Sequence, residues 1–361
     1  MLGDWLRASG LTVRHLAAAR QMSAPFVVLD ERWPHHGPHS GYLITTEIGP
    51  LLPRNDRLLP YPLQKFLSRL MEDDFWEPRL LAHLMLRVGN AKVLHLVTGD
   101  FDTWICRKRA NWLKTKVTAT FHQPVDRLRE IASKLEGGML DGIVCVSRNQ
   151  MAILEHLVSP GRCVFIPHGV DTEFFEQAPI TDADAHPLLL AVGVHRRDFI
   201  TLMSAARIIK SRRPDVRVRL IGPRDGVVGV VQDGVVEVVS DLSDAELRAA
   251  YRESRMLFLP LHEATANNAL LESMATGRPA VITDLPAIHD YTTGDAALFC
   301  RRGDVQAHAQ AALRLLDDSS LCARMGSAAH NRALDFSWPR VRKLLLTFLQ
   351  EVCESTAEPI P

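Results

Sequence analysis

The sequence has no surplus of charge of either sign, because 42 Lys and Arg residues balance 42 Asp and Glu residues among 361. Proteins that bind nucleic acid through its phosphates need a basic surplus, so we expect no nucleic-acid partner. No segment approaches the ~18 consecutive apolar residues that a membrane-spanning helix needs. Basic residues interrupt the first 20 positions, which therefore lack the unbroken apolar core of a signal peptide. We expect a cytoplasmic protein.

Closely spaced cysteines are also missing. The chain has six cysteines but no Cys-x-x-Cys pair, which predicts buried, reduced thiols rather than a disulfide framework or a metal site. No Gly-x-Gly-x-x-Gly follows an apolar run, and this argues against a dinucleotide oxidoreductase. No Asp-x-Asp lies in a loop that follows a predicted strand, so we expect no metal ligand set.

Short runs of Val, Ile and Leu alternate with amphipathic segments from residue 26 onward. This rhythm predicts parallel strands that helices cover on both faces. Eleven strands are too many for one sheet, so we predict an α/β protein of two Rossmann-like, doubly wound domains. The predicted strands cover 26–30, 92–97, 116–122, 142–147, 163–167, 188–193, 216–222, 235–241, 256–261, 279–284 and 297–301.

A polar, Pro-containing stretch without periodicity marks the predicted division between the domains. The last helix should begin at Ser337 as its cap, with Pro339 in the first turn. The predicted organisation is a helical extension over 1–22, a first domain over 23–172, a linker over 173–187, a second domain over 188–336 and a C-terminal helix over 337–353.

The loop and helix after the ninth predicted strand carry the clearest chemical signal. Asn267 or Asn268 is a favourable N-cap, and Gly277 is a favourable residue just after the helix end. The free N–H groups of such a helix N-terminus suit a diphosphate. Glu272 follows one turn later and could accept hydrogen bonds from the hydroxyls of a ribose. The alternative is an ordinary capped helix with a solvated Glu.

A second loop of interest follows the first strand of the second half. It places His195, Arg196 and Arg197 at the end of that strand, where ligands of open α/β sheets bind. Arginine side chains match phosphate oxygens well. The alternative is a solvated pair of arginines at a helix start.

These residues carry a resemblance to a family. The segment PLHEATANNALLESMATGRPAV resembles the Glu–seven residues–Glu segment of retaining GT-B glycosyltransferases, specifically glycosyltransferase family 4. The resemblance extends over roughly residues 26–350 and implies a GT-B fold, in which two Rossmann-like domains face a cleft and a C-terminal helix crosses over. The other segments that carry it are HSGYLITTEI at 39–48, VTATFHQP at 117–124, FIPHGVDTEFF at 165–175 and SDLSDAELRAAYRESRMLFLPL at 240–261.

The resemblance implies a retaining, metal-independent glycosyltransferase that needs no cofactor. Its donor would be a nucleotide diphosphate sugar, with UDP- or GDP-sugars favoured, and its acceptor a saccharide or a lipid-linked molecule. Arg197 and Arg196 would neutralise the leaving diphosphate, Glu272 would bind the ribose, and His122 would lie near the transferred sugar. The implied donor-binding residues are Gly41, His195, Arg196, Arg197, Asn267, Asn268, Ala269 and Glu272, and the implied catalytic residues are His122, Arg197 and Glu263.

The sequence departs from the family pattern at the first Glu. Eight residues separate Glu263 from Glu272, so the family's position falls on Ala264. Either a one-residue shift lets Glu263 take the place of the family's first Glu, or Asn267 and main-chain groups bind the sugar hydroxyls instead. This departure supports one alternative, a catalytically degenerate GT-B protein that binds or scaffolds. A GT-B nucleotide-sugar epimerase or sugar phosphorylase is a second alternative, although the HGVDTEFF segment and the Asn-Asn loop favour transfer.

A basic, Trp-containing segment over 101–116 leaves open whether the protein contacts a membrane surface. The first 170 residues carry five more basic than acidic side chains, which agrees with contact to an anionic lipid surface or acceptor. The protein would then be peripheral at the inner face of the membrane. The alternative is a packed helix with a solvated basic face.

Overall fold

The computed structural model describes residues 25–29, 39, 91–102, 115–180, 186–224 and 234–355. Two parallel sheets dominate these residues, and helices pack against them. The predicted extension over 1–22, most of the segment 101–116 and Gly41 lie outside the described residues.

The first sheet has five described strands in the order in which they occur along the chain. All neighbours pair in parallel, as Val27 with Leu94 and Ile143 with Cys163 illustrate. Most of these residues are buried, as expected for strands covered on both faces. The strands are β1 (Phe26–Leu29), β2 (Val93–Leu96), β3 (Lys116–Phe121), β4 (Gly142–Cys145) and β5 (Cys163–Phe165).

The second sheet has six parallel strands in the order β11-β10-β9-β6-β7-β8. The first and fourth strands of this half, β6 and β9, are therefore neighbours, and the chain winds outward from them in both directions. Such a switch point leaves a crevice at the carboxyl ends of the two central strands. The strands are β6 (Leu188–Val192), β7 (Arg217–Ile221), β8 (Glu237–Val239), β9 (Met256–Leu259), β10 (Ala280–Thr283) and β11 (Ala297–Cys300).

The eleven strands occur where the apolar runs predicted them, and the two-sheet α/β fold is confirmed. Nine α-helices are described between and after them. They are α1 (Gly99–Asp102), α2 (Val125–Ala132), α3 (Arg148–Leu154), α4 (Phe199–Arg212), α5 (Asp244–Glu253), α6 (Asn268–Ala275), α7 (Val305–Asp317), α8 (Ser319–Ala333) and α9 (Trp338–Glu354).

Helix α9 packs against the first sheet, although it follows the second sheet in the chain. Val341, Leu345 and Phe348 join the core that includes Val28 and Val93. Pro339 lies in the first turn as predicted, but the Ser337 side chain makes no capping hydrogen bond. The helix start is instead tied to the chain after β5, where the Ser337 backbone pairs with Val170.

The first part of the predicted linker packs onto the second half of the protein. Phe175 is fully buried in the core around α5 and α6. The buried Arg278 side chain donates hydrogen bonds to the carbonyl oxygens of Ala178 and Pro179, at 2.8 and 3.2 Å. The polar sequence of this part of the linker therefore gave no sign that Phe175 packs in the core, or that two of its carbonyl oxygens accept hydrogen bonds from the buried Arg278. The domain boundaries themselves stay predictions.

Thiol burial follows the sequence expectation for the described cysteines. Cys145, Cys163, Cys300 and Cys322 are buried and outside any disulfide, whereas Cys353 is half-buried. Within the parts of the chain that the structure describes, no helix is both long and apolar enough to cross a membrane.

Candidate functional site

The loops after β6 and β9 meet at the switch point of the second sheet and are tied together by main-chain hydrogen bonds. The amide of Asp198 donates to the carbonyl oxygen of Pro260 at 3.0 Å, and the amide of His262 donates to that of Arg196 at 2.9 Å. Arg197 and Leu261 form an isolated antiparallel bridge. The two loops therefore form one preorganised rim at the edge where ligands of such sheets bind.

The Arg197 side chain folds back over the end of β6. Its Nε donates to the carbonyl oxygen of Val192 at 2.9 Å, and its Nη1 donates to that of His195 at 3.1 Å. Gly193 makes room for it, because a Cβ at this position would lie 2.9 Å from Nη2. Burial lowers the pKa of the Arg197 guanidinium to about 10, so the group stays positive at neutral pH.

Helix α6 begins beside this rim with a side-chain cap. Oδ1 of Asn267 accepts a hydrogen bond from the amide of Leu270 at 3.2 Å, which confirms Asn267 as the cap. The amides of Asn268 and Ala269 precede the first intrahelical bond and have no acceptor among the described residues. Gly277 follows the helix with a φ of 77°, as its predicted role requires.

Glu272 lies on α6 and is buried, with 5% of its surface exposed. Its Oε2 accepts a 2.8 Å hydrogen bond from the hydroxyl of Tyr251 on α5. Burial raises the pKa of the Glu272 carboxyl to about 8; the Tyr251 hydrogen bond opposes this shift, Asp244 adds to it, and Arg197 opposes it. The solvated-Glu alternative is therefore wrong, and Tyr251 joins the site without any signal in the sequence.

The Arg196 side chain forms an ion pair with the first half of the chain, a contact that the sequence did not predict. Its backbone has a φ of 57°, a conformation that costs an L-residue energy and persists only where surrounding bonds hold it. Its Nη2 lies 3.0 Å from Oδ2 of Asp126 on α2, in the first half of the chain. His195 beside it is exposed, and burial of the imidazole and the two neighbouring arginines lower its pKa. To bind the diphosphate as predicted, the Arg196 side chain would therefore have to leave its ion pair with Asp126.

His122 reaches the same crevice from the end of β3. The Thr265 hydroxyl, in the loop after β9, donates to the carbonyl oxygen of His122 at 2.7 Å. The imidazole Nε2 lies 2.8 Å from the carbonyl oxygen of Val97, so this nitrogen carries the hydrogen. The buried Asp100 accepts the amide of His122 at 2.7 Å, and burial raises the pKa of the Asp100 carboxyl. Both sheets therefore contribute to one site.

Glu263 is half-buried and turns toward its own backbone. Its Oε1 accepts a hydrogen bond from the amide of Ala264 at 3.0 Å, while the Ala264 side chain is buried at the position where the family pattern has its first Glu. No other described residue bonds to the Glu263 carboxylate. Its predicted catalytic role stays a prediction.

The structure thus gathers Arg197, the start of α6 and Glu272 on one wall, with His122 opposite. Sequence reasoning missed Tyr251, Thr265 and Asp126, because each enters through a long-range contact. His39, the described residue of the loop near Gly41, bonds through its amide to Asp244 at 2.8 Å and through Nδ1 to Asp171 at 2.8 Å.

The chain is similar to known protein families in both of its halves. A model described as Glycosyltransferase Family 4 matches residues 4–174, and one described as Glycosyl transferases group 1 matches residues 186–318. Together they cover both halves of the chain.

Similar curated proteins carry related names. The chain is 28% identical over 256 residues to a phosphatidyl-myo-inositol mannosyltransferase of Propionibacterium freudenreichii, covering 67% of this chain and 66% of that protein. It is 26% identical over 260 residues to a D-inositol 3-phosphate glycosyltransferase of Pseudarthrobacter chlorophenolicus, covering 65% and 61%. The chain thus spans slightly less than two thirds of the length of these relatives.

The fold has solved neighbours at low sequence identity. The Anabaena protein HepE, in complex with UDP-glucose, aligns with a TM-score of 0.66 at 12% identity, covering 90% of this chain and 99% of that one. This likeness concerns the fold. With two parallel-sheet domains and a family model matched to each half, the chain belongs to the group 1 glycosyltransferase family with the GT-B fold.

Proposed function

We propose that the protein transfers a sugar from a nucleotide diphosphate sugar to a saccharide or lipid-linked acceptor. The observation that carries the proposal is the convergence of Arg197, the N-terminus of α6 and Glu272 at the switch point of the second sheet, opposite His122 of the first. Such a crevice suits a nucleotide on one wall and a reacting sugar between the walls.

The diphosphate would bind where the positive groups converge. The amides of Asn268 and Ala269 begin the helix that carries Glu272, and the half-buried Arg197 guanidinium is close enough to act on the Glu272 carboxyl. As the bond between sugar and phosphate breaks, negative charge grows on the diphosphate. Fixed donors aimed at that charge lower the barrier without reorganising. This arrangement supports a metal-independent reaction. Retention at the transferred carbon is the outcome that the resemblance to retaining glycosyltransferases implies.

Glu272 would bind the nucleotide ribose. Its Oε1 has no hydrogen-bond partner among the described residues, whereas Oε2 is held by Tyr251. A carboxyl oxygen in this state can accept from a hydroxyl of the ribose. The carboxyl lies one turn beyond the diphosphate position, which agrees with the distance from phosphate to ribose in a nucleotide.

The acceptor would enter from the first half of the protein, beside His122. The names of two relatives, a phosphatidyl-myo-inositol mannosyltransferase and a D-inositol 3-phosphate glycosyltransferase, point to inositol-containing acceptors for those proteins. We infer a hydroxylated acceptor of this general kind for this chain. A peripheral position at the inner face of the membrane follows if that acceptor is lipid-linked.

Release of the nucleotide tests the proposal. UDP-glucose, UDP-N-acetylglucosamine and GDP-mannose are incubated with the protein in EDTA, with inositol phosphates or phosphatidylinositol vesicles as acceptors. We expect acceptor-dependent release of UDP or GDP that Arg197→Ala lowers by roughly 100-fold, the effect of losing one transition-state donor. Arg324→Ala is the matched control, because Arg324 is exposed and, among the described residues, bonds only to Ser320.

A binding protein without transferase activity is the second candidate. The observation that favours it is Glu263, whose carboxylate bonds to the amide of Ala264 at 3.0 Å instead of extending from the rim. Tight nucleotide binding combined with no nucleotide release for any donor and acceptor pair would support this candidate. Release that depends on the acceptor would reject it.

A further inference from the structure

Tyr251 is a fully buried side chain that meets the proposed ribose site through one hydrogen bond. Its hydroxyl donates to Oε2 of Glu272 at 2.8 Å. The ring packs edge-on against Phe175 with centroids 5.9 Å apart, and Nε of Arg278 donates to the Tyr251 carbonyl oxygen at 3.1 Å. Ring and backbone are therefore both fixed, so the hydroxyl has one position.

This fixed hydroxyl determines how the Glu272 carboxyl can be used. With Oε2 occupied, Oε1 is the oxygen left to accept a hydrogen bond from a ligand. Without Tyr251, the carboxyl could rotate about its last torsion, which is broad for a glutamate. Arg197 acts on the same carboxyl from the rim as a favourable charge. Because Arg197 acts on the carboxyl that Tyr251 holds, Glu272 links the proposed ribose position to the proposed diphosphate position.

We propose that Tyr251 is a positioning residue that orients Glu272 so that one carboxyl oxygen accepts one hydroxyl of the nucleotide ribose. The proposal rests on the proposed function, since it assumes that a nucleotide occupies this wall. It adds that the protein distinguishes a ribonucleotide from one of its deoxyribose forms, and that Tyr251 is required for the distinction although it does not touch the ligand.

Calorimetry with nucleotides that differ only in the ribose hydroxyls tests the positioning role of Tyr251. UDP, GDP and ADP are titrated first, and the nucleotide that binds is then compared with its 2′-deoxy and 3′-deoxy forms. We expect one deoxy form to bind about tenfold more weakly than the ribonucleotide, the cost typical of leaving one buried hydrogen-bonding group unpaired. In Tyr251→Phe, we expect ribonucleotide binding to weaken about tenfold, and the two forms to bind within about twofold of each other.

Two further variants separate positioning from stability. Tyr291→Phe is the matched control, because Tyr291 is also fully buried and its hydroxyl donates to the carbonyl oxygen of Val146, away from Glu272. It should keep the ribose preference even if its melting temperature falls. Glu272→Asp withdraws the carboxyl from Tyr251 by one methylene group and should lose the preference. It gives the size of the effect when the carboxyl itself is displaced, with which the effect of Tyr251→Phe is compared.

The outcomes distinguish this proposal from the function on which it rests. If no nucleotide binds the native protein, the proposed function fails. If a nucleotide binds but Tyr251→Phe keeps the affinity and the ribose preference, the positioning role is contradicted and the proposed function stands. A double variant, Tyr251→Phe with Glu272→Gln, should bind no more weakly than Glu272→Gln alone. Independent, additive losses would also contradict the proposal.

Discussion

The two walls of the crevice are built in different ways. On the second-sheet wall, Arg197, Asn267 and Glu272 are each held by hydrogen bonds to fixed neighbours. On the first-sheet wall, His122 is fixed to Val97 and Asp100, and several further contacts join the two halves. They are the Thr265 hydroxyl with His122, the Arg196–Asp126 ion pair, Ser147 with Asp290 and Tyr291 with Val146. The comparison shows that the donor wall is held by bonds within its own half of the chain, whereas the first-sheet wall depends also on contacts with the other half.

The largest expected effect comes from breaking the support of the donor wall. The buried Arg278 guanidinium donates to the carbonyl oxygens of Tyr251, Ala178, Pro179 and Arg252. Arg278→Met would leave several buried acceptors unpaired, at about 1–3 kcal/mol for each buried group. We expect the free energy of unfolding in urea to fall by at least about 3 kcal/mol. Arg324→Met is the control, and a loss below about 1 kcal/mol would contradict the account.

The next effect concerns the pH dependence of stability. The folded-state pKa of Glu272 is raised from 4.5 to about 8 by burial, against the favourable effects of Tyr251 and Arg197 and with Asp244 adding to the rise. The stability that the neutral carboxyl contributes is therefore fully present below pH 4.5 and is lost as the pH rises toward 8. Glu272→Gln should remove this loss.

Urea denaturation of the native protein and of Glu272→Gln across this pH range measures the effect. We expect the variant to gain stability relative to the native protein by a few kcal/mol between pH 4.5 and about 8. A difference that does not change with pH would show that Glu272 is ionised throughout, and would contradict the buried, neutral carboxyl.

A smaller effect should follow from crowding Arg197. Gly193 has a φ of 86°, and a Cβ there would lie 2.9 Å from the Arg197 guanidinium. Gly193→Ala should cost about 1–2 kcal/mol of stability from the left-handed backbone and should weaken nucleotide binding about tenfold by displacing Arg197.

Gly303→Ala is the matched control for this change. Gly303 has a φ of 73°, but nothing lies within 4 Å of the added Cβ. It should lose similar stability and keep nucleotide affinity. Equal affinities for the two variants would contradict the role of Gly193 in making room for Arg197.

The smallest effect tests one of the contacts that join the two walls. The Arg196–Asp126 ion pair is partly exposed on both sides, and such pairs contribute about 0–1 kcal/mol. Asp126→Asn should therefore change thermal stability little, but should free Arg196 and strengthen nucleotide binding by about twofold to threefold at low salt. Weaker binding would show that the pair helps to build the site rather than competing for Arg196.

The same contrast explains what the sequence could predict. The cap at Asn267, the helix end at Gly277 and the strand ends before both loops are local signals, and the structure has them where expected. Tyr251 could not be found in this way, because it reaches Glu272 from another helix, 21 positions earlier. The ion pair of Arg196 depends likewise on packing between distant segments. Local sequence patterns therefore predict the strand ends and the helix that form the donor wall. Long-range contacts determine the protonation of Glu272 and the orientation of the Glu272 and Arg196 side chains.

The most direct test of the central claim, that the second-sheet wall is a nucleotide site, is a calorimetric titration. UDP, GDP and ADP are titrated without metal into the native protein, Glu272→Ala and the control Glu130→Ala, whose side chain is exposed on α2. The account predicts that one nucleotide binds the native protein and the control with micromolar affinity, and that Glu272→Ala loses this binding. Failure of all three nucleotides to bind the native protein, or unchanged binding by Glu272→Ala, would contradict it.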